Sequence, residues 1–260
     1  MAFKTIKLEF EGEIATITLN RPKKRNAIST EMIEELPRAL DEVEKGPARV
    51  AILTGAGNAF CAGMDLDEQR NLSSLTHEQH LAATRRIAEM FRSVYTFPKP
   101  LVSAVNGAAI AGGAGLATLA DLTLAVPEAQ FGYTEVRIGF IPAIVSVFLR
   151  RQVGEKRTRE LLLTGRIFDA AEGHRLGLVT NIVPLEQLLD AARHRCAELC
   201  ALSPSSLART KRLLREAERA ELERDLEAAI RESAEIRLTH DYREGMAAFL
   251  EKRKPEWKGE

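Results

Sequence analysis

The sequence predicts an α/β fold with parallel strands, and three observations carry that prediction. Residues 50–54, 101–105 and 122–126 are short apolar runs of the kind that parallel strands buried on both faces require. The first two runs each lead into a loop rich in Gly and Ala. Segments of helical periodicity lie between and after the strands, so strand, loop and helix recur along the chain.

Taken in order, Ile6, Leu8 and Phe10 alternate with polar residues, and Glu11-Gly12-Glu13 reads as a turn into a second strand at Ile14–Leu19. The chain therefore opens on a hairpin. Residues 20–27 form a basic loop. Ser29 or Thr30 caps a helix whose apolar face is Ile33, Leu36, Leu40 and Val43. Pro37 falls inside it and predicts a kink or a late start. Residues 77–95 are helical, with Ile87, Phe91 and Val94 on one face, and residues 116–119 read as a short helix. From residue 185 the chain is helical and charge-rich, with Leu222, Leu226, Ile230 and Ala234 in one stripe that suits a subunit contact. The expected division is a core over 1–184 and a helical part over 185–260.

Composition narrows the function. The 37 Lys and Arg balance 37 Asp and Glu, which argues against a nucleic-acid partner bound by bulk charge. At 45% hydrophobic residues the chain has a globular composition. Three cysteines suit a reducing compartment. Residues 1–10 carry no apolar signal core, and the apolar stretch over 101–120 is broken by Asn106 and glycines. A cytoplasmic protein with no membrane partner is expected.

Several motifs fail on inspection. Gly55-Ala56-Gly57 has Phe60 where a dinucleotide fingerprint needs its third glycine. His77 and His80 are spaced i,i+3, not as in a zincin, and Cys196 and Cys200 read as a structural pair, so no metal site is expected. Asn71-Leu72-Ser73 is a formal glycosylation sequon without meaning in a cytosolic chain.

The two Gly/Ala loops admit two readings. Small residues let a ligand approach the backbone, and two adjacent loops would aim two N–H groups at one oxygen, as in an oxyanion hole. The plain alternative is that small residues only permit tight packing.

Residues 60–66 (FCAGMDL) and 106–113 (NGAAIAGG) resemble the two oxyanion-hole motifs of the crotonase (enoyl-CoA hydratase/isomerase) superfamily. Asn20-Arg21-Pro22 with Asn26-Ala27 is similar to the family's loop after the first hairpin. Ala129-Gln130-Phe131-Gly132, Glu135 and Gly139-Phe140-Ile141-Pro142 match its catalytic-glutamate segment. Leu163-Thr164-Gly165, Ala170-Ala171-Glu172, Gly177-Leu178-Val179 and Glu244-Gly245-Met246 continue the match in order.

The resemblance implies a crotonase-like spiral of ββα units with C-terminal helices used for trimer contacts. It implies a homotrimer or a dimer of trimers, and an acyl-CoA substrate with no further cofactor. Met64 and Gly112 would donate N–H groups to the thioester oxygen, with Glu135 as acid/base. Cys61, Ala62, Asp65, Leu66 and Gly113 would lie along the acyl-CoA path, and Lys23, Arg25 and Ala27 near its nucleotide. Phe249 and Lys252 resemble residues that reach CoA from a neighbouring subunit. The basic runs 21–25 and 252–254 would meet the CoA phosphates.

One departure stands out. Typical hydratases of the family use a second glutamate three residues after the oxyanion glycine, and here that residue is Gly115. Water activation would then fall to Glu78, His77, His80 or a substrate carboxylate. The leading reading is an enoyl-CoA hydratase of fatty-acid or branched-chain (leucine-type) degradation. The segment from Glu135 to Gly154 resembles members acting on branched-chain acids, which points to a methylglutaconyl-CoA-type substrate. A Δ3,Δ2-enoyl-CoA isomerase, which needs only one proton shuttle, and a non-catalytic acyl-CoA binding protein are the alternatives.

Overall fold

The computed structural model describes residues 3–71 and 75–260, so the sequon at 71–73 lies outside the fully described residues. Strands β1 (Ile6–Glu11) and β2 (Ile14–Leu19) form the expected antiparallel hairpin. Helix α1 (Thr30–Lys45) begins at its Ser29 cap, whose side chain accepts from the Met32 N–H at 3.2 Å. It runs through Pro37, so no late start occurs.

Three ββα units follow. Strands β3 (Val50–Gly55) and β4 (Ala59–Cys61) lead to α2 (Leu66–Asn71) and α3 (His77–Tyr95). Strands β5 (Leu101–Val105) and β6 (Ala108–Ile110) lead to α4 (Gly112–Thr118), which starts earlier than the sequence periodicity suggests. Strands β7 (Leu122–Ala125) and β8 (Gln130–Gly132) lead through a 3-10 turn (Glu135–Ile138) to α5 (Ala143–Val153). Then come α6 (Glu155–Thr164), β9 (Ile167–Asp169), α7 (Ala170–Leu176) and β10 (Asn181–Ile182). The chain closes with α8 (Leu188–Cys200), α9 (Pro204–Ala217), α10 (Arg219–Glu235) and α11 (His240–Glu251).

Each unit gives one strand to each of two sheets. The first has the order β1-β2-β3-β5-β7-β10, parallel from β2 onward, and the second β4-β6-β8-β9. Helix α8 covers one face of the first sheet, which explains why β3 and β5 are buried throughout their apolar runs. Helix α4 packs on strands of both sheets. Its residues are all buried, and only small ones leave both layers in contact.

The C-terminal helices share this core. Leu188, Ala192 and Cys196 of α8 join the same apolar cluster as the sheet strands. The stripe of Leu222, Leu226, Ile230 and Ala234 is buried within the chain, where α10 packs on α3 and α5. That corrects the expectation that it suits a subunit contact. No helix among the described residues is long and apolar enough to cross a membrane.

Candidate active site

The two Gly/Ala loops meet where the second sheet ends. Gly63, at φ 87°, follows β4, and a Cβ there would lie 2.9 Å from the Ile110 carbonyl and 3.7 Å from the Gly112 nitrogen. Only glycine lets the loops approach so closely with that φ. Ile28 donates to the Gly63 carbonyl at 2.8 Å, and Asp65 donates to the Ile28 carbonyl at 2.9 Å. Met64, between them, keeps an N–H with no acceptor among the described residues. At the other loop Ala111 has φ 53°, a region a non-glycine residue occupies only under constraint. Its N–H donates to Gly132 O at 2.6 Å, and the next N–H, that of Gly112, again has no acceptor among the described residues. Gly113 sits so close to β4 that a Cβ would stand 2.1 Å from Cys61 O.

Met64 and Gly112 line a cavity of about 220 Å³ with Ala62, Leu66 and Glu135. Glu135 opens the 3-10 turn, which Gly139 closes in the left-handed conformation at φ 66°. The residue is 9% exposed, and its Oε2 is buried with no hydrogen-bond partner among the described residues. Burial raises its pKa to about 7, so both protonation states are accessible near neutrality.

Gly115 faces apolar side chains. A Cβ there would lie 2.6 Å from Val145 Cγ1 and 3.0 Å from Phe91 Cε1, and both residues line the cavity. The position of the absent second carboxylate is therefore closed by packing. The substitutes considered for it lie elsewhere. His77 and Glu78 are exposed, and His80 is buried with its pKa lowered first by burial; none of them lines the cavity.

Other expected site residues take supporting positions. Asp65 accepts from Arg21 Nη2 at 2.8 Å and from the Asp67 N–H at 3.2 Å, so its carboxylate ties the basic loop to the start of α2. Asn26 clamps that loop further, its amide donating to the Ala56 and Ala59 carbonyls, both at 2.8 Å. Cys61 is fully buried, its thiol pushed up to about 12, and Ala27 is also buried. Lys23 and Arg25 are exposed on the same loop, where Ala62 donates to the Arg25 carbonyl at 3.0 Å. Lys252 is exposed at the end of α11.

Phe249, expected to reach CoA from a neighbouring subunit, lines this chain's own cavity and is half exposed. Helix α11 packs on the Glu135 turn: Cβ atoms at Gly139 and Gly245 would lie 2.3 Å from Asp241 O and 2.4 Å from Ile138 O. That fit carries Tyr242, Met246 and Phe249 over the cavity. Sequence reading passed over Gln69, Thr84, Ser233, Arg237 and Tyr242, which also line it. No sequence signal marks them as site residues: Arg237 follows Ala234 by three residues and falls off the four-residue step of the 222–234 stripe.

A model of the enoyl-CoA hydratase/isomerase family matches residues 9–260. The chain belongs to the enoyl-CoA hydratase/isomerase family. A Thermus thermophilus protein named as an enoyl-CoA hydratase is 45% identical over 94% of this chain and 97% of its own length. A crotonyl-CoA hydratase of Syntrophomonas wolfei is 33% identical over 98% of each chain. The crystal structure of an enoyl-CoA hydratase from Mycobacterium avium is similar at TM-score 0.87, with 32% identity over 98% of this chain and 99% of that one. The fold is accordingly that of the crotonase-type enoyl-CoA hydratases, with two sheets and eleven helices among the described residues.

Proposed function

We propose that this family member hydrates a 2-enoyl-CoA thioester to the 3-hydroxyacyl-CoA, with Glu135 as the only protein acid/base. The carrying observation is a buried carboxyl of pKa about 7, its Oε2 unpartnered among the described residues, in one cavity with two N–H groups that lack acceptors among those residues. The thioester oxygen accepts from Met64 and Gly112, which stabilises the enolate; each donor of this kind is worth about 3 kcal/mol or more. The Glu135 carboxylate takes a proton from water as the water oxygen bonds to the β-carbon. The electron pair of the double bond passes into the enolate, and Glu135 returns the proton to the α-carbon. One carboxyl suffices because it is restored within the cycle.

In this reading the CoA moiety enters past Ala62 and Leu66, and its phosphates meet Lys23, Arg25 and Lys252, all of them exposed. No further cofactor takes part in this scheme. Fatty-acid and branched-chain acyl groups, including the methylglutaconyl type, are the substrate classes we infer. We also propose a homo-oligomer, a trimer or a dimer of trimers, supported by Leu163, Leu213 and Leu214, which are 75%, 72% and 69% exposed.

The packing of Val145 and Phe91 at Gly115 also favours a second one-carboxylate reaction, Δ3,Δ2-isomerisation. A panel of straight, branched and carboxylated 2-enoyl-CoAs, plus one 3-enoyl-CoA, read by product mass, separates the readings. The expected result is gain of one water from a 2-enoyl thioester. Conversion of only the 3-enoyl thioester, without mass change, would establish the isomerase instead.

A further inference from the structure

Arg237 is 6% exposed and lines the same cavity as Glu135. Its guanidinium stands 4.7 Å from the Phe140 ring centroid and 5.7 Å from that of Tyr242. Nη1 donates to Gln69 Oε1 at 2.5 Å and to the Tyr242 hydroxyl at 3.2 Å. Nε and Nη2 have no acceptor among the described residues, and no carboxylate pairs with Arg237 there. The residues outside that set, Met1, Ala2 and 72–74, include no Asp or Glu. Glu135 does not serve either, since its pKa is raised rather than lowered. A buried charge without a counter-ion is costly and is ordinarily paired.

A second observation points the same way. Thr84 is 1% exposed, lines the cavity, and its Oγ1 has no hydrogen-bond partner. The Tyr242 hydroxyl and the Gln69 amide accept from Arg237 and keep their own hydrogens unused. This wall of the cavity thus presents several donors and a positive charge, and among the described residues no carboxylate pairs with them.

We propose that the acyl chain of the substrate ends in a carboxylate, and that Arg237 with Thr84, Gln69 and Tyr242 forms its receptor. The substrate class is the CoA thioester of an unsaturated dicarboxylic acid. This rests on the acyl-thioester reading above. The CoA phosphates are the other anions of such a ligand. They are assigned to the exposed Lys23 and Arg25, because Arg237 is buried against Phe140 and Tyr242.

The test compares glutaryl-CoA with pentanoyl-CoA, saturated thioesters of equal chain length that differ at the last carbon. The wild-type protein should bind glutaryl-CoA about 30-fold or more tighter, the effect of one buried charge-assisted pair. Arg237→Met should abolish that preference and Arg237→Lys should keep part of it. Equal wild-type affinities overturn the proposal, as does a preference that survives Arg237→Met. Should Arg237→Met fail to fold, the methyl ester of glutaryl-CoA replaces it, and equal binding of acid and ester by the wild type is the overturning result. Turnover separates the two claims. Preference for glutaryl-CoA without hydration of glutaconyl-CoA supports the receptor and removes the hydratase. Equal hydration of glutaconyl-CoA and pent-2-enoyl-CoA with equal binding removes the receptor alone.

Discussion

At the scale of single residues, the proposed hydration depends on one carboxyl and one missing side chain. Burial raises the pKa of Glu135 to about 7. Because the carboxylate must first take a proton from water, kcat/KM for hydration should rise with pH and level off above about 7. A pH–rate profile of the wild-type protein checks this; a rate that falls through the same range would mean that the protonated acid starts the reaction. Stability runs the other way. With a folded pKa above the unfolded value of 4.5, the fold binds the extra proton between the two values, so stability falls as pH rises from about 4.5 to about 7. Thermal melts should therefore show Glu135→Gln gaining on wild type as pH rises through that window. At the other position, Gly115→Glu restores the family's carboxylate in sequence but collides with Val145 and Phe91. It should lower stability by about 1–3 kcal/mol or more in denaturant titration and should not raise the rate.

At the scale of elements, the site depends on how closely β4 and α4 approach. Gly63→Ala adds a Cβ 2.9 Å from Ile110 O at a φ of 87°, so it must shift Met64. Loss of one donor costs about 10²–10³ in kcat, and steady-state kinetics should show that loss with binding less affected. The hairpin, β3, β5 and α3 were legible because alternation, short apolar runs and helical spacing each record how a segment is buried. The α4 start was less so: Gly112, Gly113 and Gly115 are weak helix formers, and burial between two sheets overrides that preference. The loop motifs point to Met64 and Gly112 as donors only through family resemblance, because small residues mark tight packing equally well. Arg237 and Tyr242 were not legible as site residues, since their approach depends on Gly139 and Gly245 seating α11 against the Glu135 turn.

At the scale of the whole molecule, α11 closes the cavity of its own chain, and the neutral overall charge is an average over local basic sites. Lys23 and Arg25 are exposed beside the cavity loop, and Lys252 ends α11. If these groups meet CoA phosphates, KM for an acyl-CoA should rise with ionic strength while kcat changes little. Arg25→Glu should raise KM and flatten that salt dependence, as initial rates at varied salt will show. The central claim is that Glu135 alone moves the proton in water addition. Its most direct test is the hydration rate of a 2-enoyl-CoA by wild type and Glu135→Gln, measured beside thioester affinity. Glu135→Gln should lose about 10²-fold or more in rate with affinity kept. A Glu135→Gln variant that hydrates at the wild-type rate would contradict it.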